Sequence, residues 1–221
     1  MALGADRAGS QGIYRINTQT GEVTPILHSG LCPPDCIEWA VWSPDGKVIF
    51  ARRTSETPKA ARRIVSRDFA SGREHELYRA SPSGQVSHLA VSPDARSVAF
   101  IEWDSDKGVS ALKTLPTTGG RPRELLRVQA PETIFDLAWA PDNRQLLFGT
   151  GSTGKDQHFK LLRISTEGGK AQELGLAMQG LQLYGLSVHP DGKRIAFTAG
   201  TPLRGELWVL KVFLPALKTA K

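Results

Sequence analysis

Four copies of one short theme stand at near-constant spacing, and that spacing limits what this chain can fold into. The copies are Trp42-Ser-Pro-Asp-Gly-Lys47, Val91-Ser-Pro-Asp-Ala-Arg96, Trp139-Ala-Pro-Asp-Asn-Arg144 and Val188-His-Pro-Asp-Gly-Lys193. Their prolines, Pro44, Pro93, Pro141 and Pro190, are 49, 48 and 49 residues apart. A fixed period in this range marks a repeat architecture, in which each unit buries its apolar face against the next.

With the proline as origin, the residues four and two before it are Ala40 and Trp42, Leu89 and Val91, Leu137 and Trp139, and Leu186 and Val188. Side chains alternate along a strand, so each pair shares one face. The residue between them is small (Val41, Ala90, Ala138, Ser187), which lets a second sheet cover the other face. Proline ends the strand, and Asp45, Asp94, Asp142 and Asp191 follow in a tight turn, where a carboxylate bonds backbone two residues on. These prolines and aspartates are therefore turn-forming residues, not catalytic or metal-binding ones. A second strand follows at once (Ile49, Val98, Leu146 and Ile195 lead it), then a variable loop and a third strand. Gly21, Gly72, Gly120 and Gly169 mark a hairpin into a fourth strand. Four antiparallel strands in just under 50 residues, repeated, predict an all-β fold: a β-propeller of four-stranded blades.

The ends set the expected blade count. The Gly21 turn implies a half blade over 12–27. Full blades follow at 36–79, 86–127 and 133–176, then an incomplete last blade at 183–214 and a tail at 215–221. The expectation is a single segment, 1–221, forming an incomplete arc of about four to five blades, continued by upstream blades of a longer chain.

Composition excludes some functions. No run of 18 apolar residues exists, so no membrane-spanning helix is expected, and residues 1–12 lack the apolar core of a secretory signal. The net charge is +6, but the basic residues are scattered, and no aromatic interleaving accompanies them. Nucleic acid is not the expected partner. Cys32 and Cys36 form a lone C-x3-C, without the second ligand pair a zinc site needs. A local disulfide and two free thiols both remain open. Gly149 to Lys155 fits G-x-x-x-x-G-K, but Asp156 replaces the hydroxyl residue and no helix follows. It reads as a loop between second and third strands. No nucleophile elbow or metal-ligand spacing occurs among His28, His75, His88, His158 and His189. No cofactor, no metal site and no catalytic residue is expected.

The Ser-Pro-Asp-Gly-Lys turn followed by an Ile-Ala-Phe strand resembles the TolB-like propeller repeat, and also blades of the propeller domain of prolyl oligopeptidase-type enzymes. The resemblance covers about residues 12–214 and is strongest in Val188 to Phe197 and Trp42 to Ile49. It implies a protein-binding or ligand-sensing module and favours a periplasmic or extracytoplasmic setting. The tail Leu207 to Lys218 also resembles the C-termini of some bacterial proteins in which such a propeller follows a kinase or DNA-binding regulatory domain and a membrane span, which implies the C-terminal sensor or scaffold part of a larger bacterial signalling protein. The alternatives are the gating propeller of a peptidase and a purely structural repeat.

Two surfaces are candidates for recognition. Trp39, His88 and Asp136 occupy equivalent first-strand positions, with Gly185, where a propeller lines its central channel. The connections from fourth to first and from second to third strand fall on one face, and recognition tends to sit in loops on a rigid scaffold. They are read as Leu31 to Cys36, Arg52 to Arg63, Trp103 to Lys107 and Thr150 to His158. Arg52, Arg53, Arg62, Arg63, Trp103, Asp104, Asp106 and His158 are the candidate interaction residues there.

Overall fold

The computed structural model describes residues 2–5, 10–31, 35–44, 46, 48–55, 62–68, 70–152, 157–180, 182–201 and 204–211. Among these every regular element is a strand, and all pairing is antiparallel. Blade 1 holds β1 (Ala2–Ala5), β2 (Ser10–Ile16) and β3 (Val23–Leu31). Blade 2 holds β4 (Asp35–Trp42), β5 (Val48–Ser55), β6 (Arg63–Asp68) and β7 (Glu74–Arg79). Blade 3 holds β8 (Gly84–Val91), β9 (Ser97–Asp104), β10 (Val109–Pro116) and β11 (Arg123–Gln129). Blade 4 holds β12 (Glu132–Trp139), β13 (Gln145–Ser152), β14 (His158–Ser165) and β15 (Gln172–Gln179). Blade 5 holds β16 (Gln182–Val188), β17 (Arg194–Thr201) and β18 (Arg204–Lys211). Each sheet is a simple meander. The first strands β4, β8, β12 and β16 lie against one another in turn, which makes them the inner wall of the arc.

Residues 12–27 are expected to hold two strands; the structure adds β1, which pairs with β2 from Ala2↔Tyr14 to Ala5↔Gln11. Four residues are too few for an alternating pattern to register in the sequence.

The core lies between blades, not within a single layer. Ile64, Leu77, Val86, Leu89, Phe100 and Leu115 join blades 2 and 3. Ala99, Ile101, Leu112, Leu137, Trp139 and Phe148 join blades 3 and 4. Ala138, Leu147, Phe159, Leu186 and Phe197 join blades 4 and 5. Successive residues therefore serve different junctions. Leu137 and Trp139 face blade 3 while Ala138 faces blade 5, so both faces of a middle blade read as apolar.

The Pro-Asp turns fold as the residue types require. Asp94, Asp142 and Asp191 each accept the backbone N–H two residues on, at 3.0, 2.8 and 2.8 Å. The next residue takes a left-handed φ in every copy: Gly46, Ala95, Asn143 and Gly192 at 71, 61, 60 and 66°. Asn143 uses its departure from glycine, because its Oδ1 accepts the Asp94 N–H of the preceding blade at 2.9 Å. Trp139 adds a second bond across that junction, Nε1 donating to the Ala90 carbonyl at 3.1 Å. Asp45, Cys32, Lys155 and the tail 215–221 lie outside the described residues, and of Cys36 only the backbone, in β4, is described.

Candidate functional site

Each inner strand breaks register at the same place. The shifts fall between Ile37 and Ala40, Ser87 and Ala90, Phe135 and Leu137, and Tyr184 and Ser187. These are β-bulges, which bend a strand and re-aim a side chain. Trp39, His88, Asp136 and Gly185 sit in them, and the last three have φ of 50, 24 and 64°. A bulge frees backbone N–H groups that need new acceptors. Asp136 supplies two: its Oδ1 accepts Leu137 N–H and its Oδ2 accepts Leu186 N–H of the next blade, both at 2.7 Å. Both carboxylate oxygens are therefore engaged by backbone, and the side chain is buried. That corrects the reading of Asp136 as a polar group offered to the channel. It is a blade-to-blade staple. The inner strands expose aromatics instead. Trp39 is 39% exposed and lies against His88, ring centroids 4.6 Å apart. Tyr184, one residue before Gly185, is 50% exposed.

On the opposite end from the Pro-Asp turns, the strands run further than the sequence reading allows. Arg52 to Ser55, Trp103 with Asp104, Thr150 to Ser152 and His158 are strand residues, not loop residues. Antiparallel hairpins extend as long as facing backbone groups can pair, and strand ends tolerate polar side chains. Only the backbone of Arg52 and Arg53 is described. Arg63 shares Glu76 with Arg79, at 3.6 and 2.6 Å, and Arg62 is half-buried. Burial depresses the Arg62 pKa. These arginines do not form a shared open patch among the described side chains. Trp103 is half-buried and Asp106 is exposed in the β9–β10 turn.

His158 is held at both nitrogens. Nδ1 lies 3.0 Å from Ser152 Oγ and Nε2 2.8 Å from Glu132 Oε1. The three residues form one cross-strand row, Glu132↔Ser152↔His158, at the end of blade 4. The glycines beside this row pack rather than cradle a ligand. A Cβ on Gly149 would fall on the Phe159 ring, and one on Gly151 on the His158 carbonyl.

Sequence reasoning missed a polar cluster between blades 2 and 3. Glu102 is 8% exposed. Its Oε2 accepts the Tyr78 hydroxyl at 2.9 Å and the Lys113 ammonium. Burial, reinforced by the Glu102 charge, pushes the Tyr78 phenol above its usual pKa. Asp104 accepts from Ser83 Oγ at 3.0 Å and from Lys107 Nζ at 2.8 Å. The Lys107 hydrogen bond holds the Asp104 pKa down, to about 2. Tyr78, Glu102, Asp104, Lys107 and Lys113, with Ser81 and Arg127, line a cavity of about 210 Å³.

No family model and no curated protein matches this chain. Solved structures do. One is an oligogalacturonate lyase in complex with manganese, with a TM-score of 0.65 at 13% identity over 92% of this chain and 62% of that one. Another is the β-propeller domain of the Trilobed protease from Pyrococcus furiosus, described as an open velcro topology. Its TM-score is 0.60 at 14% identity over 95% of this chain and 63% of that one. A third, from a study of two prolyl endopeptidases, gives 0.58 at 14% identity over 80% of this chain and 28% of that one. The fold is a β-propeller. At such identities the likeness shows the fold alone, and the chain spans less than two thirds of the length of these structures. Five blades in an incomplete arc is the architecture in hand.

Proposed function

We propose that this chain is a recognition segment of a larger TolB-like β-propeller, without catalysis of its own, that binds a protein partner or small ligand at its inner wall. In that reading it is the sensor or scaffold part of a bacterial signalling protein, in an extracytoplasmic setting. One observation carries the proposal: Trp39 exposes large aromatic surface on an inner strand and lies against His88, at the bulge position where Asp136 is fully engaged. Exposed aromatics with a polar atom are the usual anchors of recognition surfaces. The absence of catalysis is supported by how the reactive-looking side chains are used, since the turn aspartates bond their own turns and His158 bridges two strands. Photo-crosslinking residues placed at 39 and at 88 test it, with position 96, on an exposed turn, as control. Adducts are expected from the two wall positions and not from the control. Equal yields at all three would refute it.

A second reading is a propeller accompanying a peptidase, favoured by the likeness to protease propellers. An active-site-directed fluorophosphonate on the natural full-length protein separates the two. A labelled serine outside residues 1–221 supports the peptidase reading.

A further inference from the structure

Blade 3 departs from its own repeat at a core position. Lys113 pairs across from Phe100. The same register holds Val65 opposite Ala51, Leu162 opposite Phe148 and Trp208 opposite Phe197. Three blades place an apolar residue there, and the fourth a lysine. Glu102 pairs with Val86, where the other blades place Arg53, Thr150 and Ala199. Local breaks in an otherwise consistent pattern mark function more often than stability. A buried ion pair adds little stability over apolar residues of the same volume, because desolvation offsets the attraction.

The carboxylate is also only half used. Tyr78 and Lys113 both bond Oε2. Oε1 lies over Gly84, where a Cβ would stand 2.7 Å from it and 2.9 Å from Ser81 Oγ. Glycine there keeps the space open. Glu102 Oε1 is an acceptor without a partner among the described residues, in a side chain otherwise buried, and it borders the cavity. Around it stand Lys113 and Lys107, each with one of three ammonium protons engaged by a carboxylate. An open anionic acceptor thus sits beside unspent cationic donors. At about 210 Å³ the space is below the range of drug-sized pockets, roughly 300–1,000 Å³, so its occupant has few heavy atoms.

We propose that this cavity between blades 2 and 3 binds a small zwitterion, a free α-amino acid or one of similar size. Its ammonium meets Glu102 Oε1 and Ser81 Oγ, and its carboxylate meets Lys113 and Lys107. The proposal is independent of the inner-wall reading, because neither Trp39 nor His88 lines this cavity.

The test is calorimetric titration of the full chain with L-alanine, propionate and propylamine in turn. L-Alanine is expected to bind with a Kd in the millimolar range or tighter, and the two half-ligands at least about ten-fold more weakly. Glu102→Gln keeps the shape and one acceptor oxygen but loses the charge, and should weaken L-alanine at least about ten-fold. Its melting curve, measured in parallel, shows that the variant is folded. No saturation with L-alanine up to about 50 mM would overturn the proposal. So would propionate binding as tightly as L-alanine, or a folded Glu102→Gln that binds like the parent.

Discussion

Among the described residues, two carboxylates are buried at blade junctions, and they are spent differently. Asp136, between blades 4 and 5, gives one oxygen to Leu137 N–H and the other to Leu186 N–H, both at 2.7 Å. Glu102, between blades 2 and 3, puts both partners on one oxygen and leaves the other facing a cavity. The first group completes the backbone of a bulge that the fold itself creates. The second occupies a position where the other blades place Arg53, Thr150 and Ala199, and no described backbone group bonds it. The contrast separates a charge the architecture needs from one it merely tolerates.

The largest expected effect falls on the first. Asp136→Ala leaves two buried N–H groups without acceptors, at about 1–3 kcal/mol each. Chemical denaturation should show a loss on the order of 4 kcal/mol, and hydrogen exchange should show Leu137 and Leu186 amides losing protection. An unchanged midpoint would make the two carboxylates alike. Lys113→Met comes next. It strands Glu102 with Tyr78 alone, and breaking a buried pair this way costs about 3–5 kcal/mol. A value near 3 kcal/mol is expected, since water in the cavity can reach Oε1. A loss larger than that of Asp136→Ala would invert the ranking.

The smallest effect is at the cavity rim. Asp104 has a folded pKa of about 2, lowered first by its Lys107 hydrogen bond. Unfolded aspartate titrates near 3.9. A depressed carboxylate contributes stability above its unfolded pKa and loses it as pH falls through the folded one. Asp104→Asn should therefore lower the denaturation midpoint slightly at pH 7 and much less at pH 2. A difference as large at pH 2 as at pH 7 would mean that Asp104 acts by shape, not charge.

The scaffold was legible because it is periodic. Proline, aspartate and the flanking apolar residues recur at fixed offsets, and each has one physical use. The bulges were not legible. A bulge needs one residue with unusual φ, and glycine would announce it, but only Gly185 is glycine; His88 and Asp136 hold the same place. Trp39, His88 and Asp136 stand at equivalent places in their strands, while the use of Asp136 required seeing Leu186, fifty residues on. His158 reads as the last residue of a loop, whereas it sits at a strand end with partners across the sheet. Glu102 and Lys113 went unnoticed inside stretches counted as strand. The available signal was a comparison among units: Val65, Leu162 and Trp208 share one register with Lys113, and only the lysine is charged.

The central claim is that the polar group between blades 2 and 3 is retained for binding and not for stability. The direct measurement is the unfolding free energy of Tyr78→Phe/Glu102→Leu/Lys113→Leu against the parent, by urea denaturation. Replacing a buried ionic cluster with apolar residues is expected to leave stability unchanged or raise it by about 1–4 kcal/mol. A loss of more than about 2 kcal/mol would show that the cluster holds the blades together, and would contradict the claim.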